Sequence, residues 1–179
     1  MSQENTATRY HPVHVVLHWL IAILVFMMLG VGKFVLPGVP ADAPQKAGML
    51  QFHAYIGMFI GALLLLRLIL RFTAKRPEPA DAGNALLNFL AKAVHFLLYL
   101  FLIGMAVSGF GLFQQANLSA VFNGTVPYPD DFFQYLPRMG HGLTSWLLVG
   151  LVVLHFGAAM YHQFIRKDNL LSRMWFGKK

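Results

Sequence analysis

Eight histidines stand in a chain of 179 residues that holds only seven acids and no cysteine. Imidazole is the commonest protein ligand for a transition metal, so their spacing is informative. His141 and His155 are 14 residues apart. On a helix, with about 1.5 Å of rise and about 100° of turn per residue, they lie roughly 21 Å apart and within about 40° of one face. That separation suits two metal centres stacked along one helix and is too long for one. His162 continues the same face further along the chain. A lone histidine in an apolar helix is more often a helix-to-helix hydrogen bond, so the argument rests on spacing and depth and not on any single residue.

Without cysteine there are no disulfides, iron–sulfur clusters, zinc ribbons or covalently attached c-type haem. Zinc sites are usually tetrahedral, with four protein ligands or three and a water. Here the histidines come mainly in facing pairs, with no acid or cysteine close in sequence. Two neutral imidazoles on opposite faces are what six-coordinate haem iron accepts. Apolar, aromatic-rich surroundings suit a porphyrin held by coordination and packing alone.

The elements that must position these residues are membrane helices. The chain is 57% apolar and only 12% charged, with a mean hydropathy of +0.57, too apolar for an ordinary soluble domain. The net charge of +7 does not signal nucleic-acid binding, because the basic residues sit at the ends of apolar runs, as topology signals do. Four runs are long enough to cross a bilayer, at about residues 13–32, 52–72, 89–113 and 139–165. Breaker-rich loops separate them, over Pro37 to Pro44, Pro77 to Asn84 and Phe122 to Pro137. The expected fold is all-α, a single transmembrane domain over 1–179. It is an integral membrane four-helix bundle holding two non-covalent haems. The first run is too long for a signal-peptide core and is expected to be retained. Four crossings put both termini on one side, with Arg9, Arg67, Arg71, Lys75, Arg76, Lys92, Arg166, Lys167, Arg173, Lys178 and Lys179. Lys33, Lys46 and Arg138 fall on the other. This asymmetry predicts cytoplasmic termini.

Depth then pairs the helices. His53, near the start of the second, lies at the outer surface with His141. His18, about 18 residues before the outer end of the first, matches His155 on the fourth. His95 on the third helix lies at the same depth, and His14 is one turn from His18, so spacing alone leaves the partner of His155 open. Arg67, 14 residues after His53, and Arg71 reach the inner depth. Arginine binds carboxylates bidentately, so both are candidate contacts for haem propionates; the plainer reading is that they snorkel as topology anchors. Gly57, Gly61 and Gly150 lie near the proposed ligands, where small residues serve a flat macrocycle or simple helix packing equally well.

At this point the residues resemble a known family, the small bacterial cytochromes b561, four-helix di-haem proteins of the inner membrane. The resemblance covers nearly the whole chain. It is carried by His18-Trp19, by His53 followed by Arg67, by His95-Phe96-Leu97-Leu98-Tyr99-Leu100, and by the loop Val126-Pro127-Tyr128-Pro129. His141, His155 and His162 keep the spacing, and Lys167-Asp168-Asn169-Leu170-Leu171-Ser172-Arg173-Met174 resembles the closing stretch. The resemblance implies that His18 and His155 ligate an inner haem b and that His53 and His141 ligate an outer one. It also implies a homodimer in the bacterial inner membrane.

With both axial positions filled, the haems would carry single electrons and leave iron no open position for a substrate. The expected activity is quinol-linked oxidoreduction. Electrons from ubiquinol or menaquinol would pass to oxygen or superoxide chemistry, or to another acceptor. His162, His95 and His14 are the candidate quinone and proton site near the inner surface, since an unperturbed imidazole titrates near 6.5. Asp168, in a charged run, reads first as a solvated residue, and an outer quinol site near Lys33 and Lys46 is equally open. Two other classes compete. A haem-b anchor and quinone-reactive subunit of a larger dehydrogenase or hydrogenase would use the same ligands and need a soluble partner. A histidine-lined membrane transporter would be colourless, and it usually carries acids inside its spans, where this chain has none.

Overall fold

The computed structural model describes residues 9–176. Glu4, Lys178 and Lys179 lie outside them. Among the described residues every regular element is helical. Helix α1 spans Pro12–Gly38. It is α-helical over Pro12–Gly30, opens into a π-helical turn at Val31–Val35, and closes with Leu36–Gly38. Helix α2 spans Lys46–Thr73, α3 Ala85–Gln115 and the short α4 Leu118–Phe122. Helix α5 spans Leu136–Arg166, ending in a π-helical turn at Tyr161–Arg166. A 3₁₀ turn at Leu170–Met174 follows. The four long helices α1, α2, α3 and α5 are each long and apolar enough to cross a membrane. Long, predominantly apolar helices suit lipid because their backbone groups are satisfied internally.

The helices begin and end beyond the apolar runs, for local reasons. Helix α2 starts at Lys46, because that side chain turns back to donate to the carbonyls of Leu36 and Val39 while its backbone starts the new helix. Asn84 caps α3 by accepting the Leu87 N–H at 2.9 Å. Pro12 and Pro137 occupy first turns, where a missing N–H costs nothing. The helix α4 was not expected from the sequence. Asn117, at φ 47°, breaks the chain after α3 and restarts it as one further turn; asparagine tolerates this left-handed conformation better than most residues.

Packing is uneven. Helix α3 lies closest to α5, and α2 packs on both α1 and α3, whereas neither α1 nor α2 packs closely on α5. One core cluster, of Ile21, Val25, Met28 and Ile60, joins α1 to α2. A second, of Ala116, Leu118 and Val121, covers the end expected to be outer, together with Phe113, Phe122 and Tyr128. The opposite end, expected to be inner, is tied by side chains. Trp19 donates from Nε1 to the Met174 carbonyl at 2.7 Å, Arg173 to the Glu78 carbonyl at 2.9 Å, and Arg166 to the Ala82 carbonyl.

Candidate metal centres

Two imidazole pairs span the two loosely packed intervals that α5 makes with α1 and α2. His53 of α2 and His141 of α5 face each other with ring centres 6.2 Å apart. At the other level His18 of α1 and His155 of α5 are also 6.2 Å apart. Two imidazoles bonded to opposite faces of one metal, at about 2.0–2.1 Å per bond, would have ring centres about 6.3 Å apart. The residues therefore fit a six-coordinate iron at both levels. Nδ1 of His53 is buried and has no hydrogen-bond partner, an arrangement that calls for a donor or a metal nearby. Among the described residues no group of three or more His, Cys, Asp or Glu is arranged to hold a bare ion, which sets these pairs apart from a zinc site.

The outer pair is framed by glycines. A Cβ on Gly32 would stand 3.1 Å from Cε1 of His53, and one on Gly109 would stand 3.3 Å from Cε1 of His141. Neither glycine was singled out in the sequence, since only the fold brings them beside the rings. Of the three that were, Gly61 packs against Ala106, while a Cβ on Gly57 or Gly150 would meet nothing within 4 Å. Gly61 thus serves helix packing, and the other two leave room at the ligand depths. Ser108 of α3 is a further residue that sequence reasoning missed. Its Oγ lies 3.2 Å from His141 Nδ1 and 2.7 Å from the Gly104 carbonyl. With its own proton donated to Gly104, Ser108 can accept an Nδ1–H from His141, which would leave Nε2 free to bind a metal.

The inner level holds a third ring. His95 lies 5.2 Å from His155, and its Nδ1 is 2.6 Å from the Ala91 carbonyl. That separation is shorter than two imidazoles across one metal require, whereas the distance from His18 is not. His14 sits apart from this group: its ring packs edge-on to Tyr10, and its buried Nε2 has no partner.

The arginines expected at this depth are partly engaged. Arg67 donates from Nε to the Tyr99 hydroxyl at 3.1 Å and from NH1 to the His14 carbonyl at 2.9 Å. Arg71 lies over the Tyr99 ring. Arg67 therefore joins α1, α2 and α3, and Tyr99 belongs to the same cluster. On the outer side Lys33, in the π-helical turn, sits over Trp146 at 3.8 Å, and Arg138 sits over Phe133 at 4.8 Å. Among the described residues neither has an acidic partner.

His162 pairs with Asp168, Nδ1 to Oδ2, at 2.6 Å. Arg166 adds a longer contact to the same oxygen at 3.5 Å. Partial burial pushes the Asp168 carboxyl up, but its hydrogen bonds to His162 and the Leu170 N–H, with the Arg166 charge, bring it below the usual carboxylate range. Asp168 is thus a structural partner and not the merely solvated residue its charged surroundings first indicated.

Comparison with known proteins identifies the bundle. A model of the family described as prokaryotic cytochrome b561 matches residues 9–177. The chain belongs to this family. It is 30% identical to cytochrome b561 homolog 2 of Escherichia coli (strain K12), across 97% of this chain and 95% of that protein. The probable superoxide oxidase CybB of Yersinia pestis is 24% identical, across 93% and 95%. The probable Ni/Fe-hydrogenase 1 B-type cytochrome subunit of Escherichia coli (strain K12) is 24% identical, across 88% and 83%. This cytochrome is therefore a b-type electron-transport protein embedded in a lipid bilayer, and its family implies a b-type haem.

Proposed function

We propose that this cytochrome binds two haems b, one between His18 and His155 and one between His53 and His141, and that it moves electrons across the bacterial inner membrane by oxidising quinol. The observation that carries this reading is the pair of facing imidazoles at two levels, with equal ring separations. When bound, a haem held by two imidazoles supplies reversible one-electron transfer with no open position at iron. The protein's own residues do the rest. Apolar helices exclude water, Ser108 orients His141, and glycines admit the rings of the outer pair. Arg67 and Arg71 at the inner level, and Lys33 and Arg138 at the outer, are the cations available to propionates. His162, His95 and His14 are the candidate proton acceptors for quinol, and both termini lie on the cytoplasmic side.

Oxygen, superoxide or another acceptor would receive the electrons at the opposite face. The relative named as a probable superoxide oxidase also supports the reverse flow, with superoxide as the electron donor. The relative named as a hydrogenase cytochrome subunit supports a second reading, in which the chain serves a larger enzyme; co-purification of a soluble dehydrogenase would favour it. The test is stopped-flow mixing of the oxidised holoprotein in nanodiscs with a short-chain ubiquinol or menaquinol. Rapid appearance of the reduced haem bands is expected. No reduction by either quinol, in a protein that dithionite reduces fully, would overturn quinol as donor.

A further inference from the structure

We propose that Asp168 is a positioning residue for His162, holding its imidazole in the tautomer whose Nε2 takes the proton from a quinol hydroxyl at the inner end of the bundle. The inference rests on the quinol reading above. It begins with how the chain ends α5. The π-helical turn Tyr161–Arg166 is followed by Lys167 and Asn169, both left-handed with φ 56°. These reversals fold the chain back, so that the Asp168 N–H reaches the His162 carbonyl at 3.3 Å while its carboxylate reaches the imidazole of the same residue at 2.6 Å. The π-helical turn that closes α5 aims one histidine at one carboxylate.

The chemistry follows from which nitrogen is occupied. A carboxylate accepts only, so Nδ1 must carry the proton and Nε2 is left with its lone pair. Arg166, 3.5 Å from the same oxygen and anchored on the Ala82 carbonyl, holds the carboxylate in place. The His162 side chain is 12% exposed and that of Asp168 is 30% exposed. A base in this position is sheltered yet has a route for its proton to water through its partner. On breaking of a quinol O–H bond, Nε2 would take the proton, and a haem held by His18 and His155 would supply the one-electron acceptor. Two such events, with Nε2 passing its proton on to water between them, would release quinone with two protons and two electrons accounted for. His162 lies seven residues beyond His155, about 10 Å along the helix, so donor and inner ligand share one end of α5.

The same contacts would also suit a purely structural helix stop, and the test must separate the two. Quinol-driven haem reduction is measured for the holoprotein, His162→Ala, Asp168→Asn and Asp168→Glu in nanodiscs, with haem content and dithionite-reduced spectra as controls. The proposal expects His162→Ala and Asp168→Asn to slow reduction at saturating short-chain ubiquinol about 10- to 100-fold, with haem content unchanged and the half-saturating quinol concentration little altered. Asp168→Glu should recover part of the rate. A slow His162→Ala beside a full-speed Asp168→Asn would overturn the positioning role and leave the quinol site standing. A full-speed His162→Ala would overturn both. Should Asp168→Asn lose haem, ¹⁵N-histidine spectra of the unaltered protein decide: a His162 signal with the proton on Nδ1 supports the proposal, and one with it on Nε2 overturns it.

Discussion

At the scale of single residues, the second contact of His141 is as informative as the histidine itself. Ser108 holds His141 by Nδ1 and is itself held by the Gly104 carbonyl. Such outer partners typically change metal affinity by about 10- to 100-fold when removed. Ser108→Ala should therefore release one of the two haems to apomyoglobin about 10- to 100-fold faster and leave the other's rate unchanged. Ser145→Ala, which removes a hydroxyl bonded only to the Gly142 carbonyl of its own helix, should alter neither. Equal release from both variants would remove Ser108 from the outer centre. Of the four proposed ligands, His141 and His155 stood out by their 14-residue spacing on α5 and His53 by its depth on α2, whereas His18 was set apart from His95 only by the family resemblance. Ser108, Tyr99, Gly32 and Gly109 were not legible, because each matters only through a contact with another helix. His95 marks the limit of reading by depth: its depth matches His18, and in the structure the distance from His155 separates them.

At the scale of elements, the departures from regular α-helix fall at the levels where chemistry is proposed. The π-helical turn of α1 brings Gly32 against His53 and Lys33 over Trp146; that of α5 carries His162. Hydropathy located the four long helices, since an unbroken apolar run of about 20 residues is what a bilayer crossing requires. It could not locate their ends, because Lys46 is polar by composition yet begins α2 while serving the carbonyls that end α1. Nor could it reveal α4, which depends on a single left-handed asparagine. The close approach of Gly32 to His53 makes a prediction at this scale. Gly32→Val should displace the His53 ring and deplete the outer haem, so that the purified variant retains about half the haem. Gly30→Val, where a Cβ would meet nothing within 4 Å, should retain all of it. Full haem content in Gly32→Val would show that the α1 turn does not constrain the outer pair.

At the scale of the whole molecule, four crossings and a skewed distribution of cations predict an orientation with the loop of Asp81 inside and the loop of Asp130 outside. The natural absence of cysteine makes this directly measurable. Asp81→Cys and Asp130→Cys, each the single thiol in its protein, should be labelled by a membrane-impermeant maleimide from opposite faces of oriented inner-membrane vesicles. Asp130→Cys should react in right-side-out spheroplasts and Asp81→Cys only in inverted vesicles. The reverse pattern would invert the assignment of inner and outer haem. Two of the bundle's loose intervals, α1 against α5 and α2 against α5, are crossed by the two imidazole pairs. This architecture makes sense if each interval is completed by a flat group gripped from both sides. The most direct test is the haem content of the purified chain, by pyridine haemochrome against protein concentration. The account predicts two haems b in the unaltered protein and one in each of His141→Ala and His155→Ala. A single haem in the unaltered protein, or two retained in either variant, would contradict it.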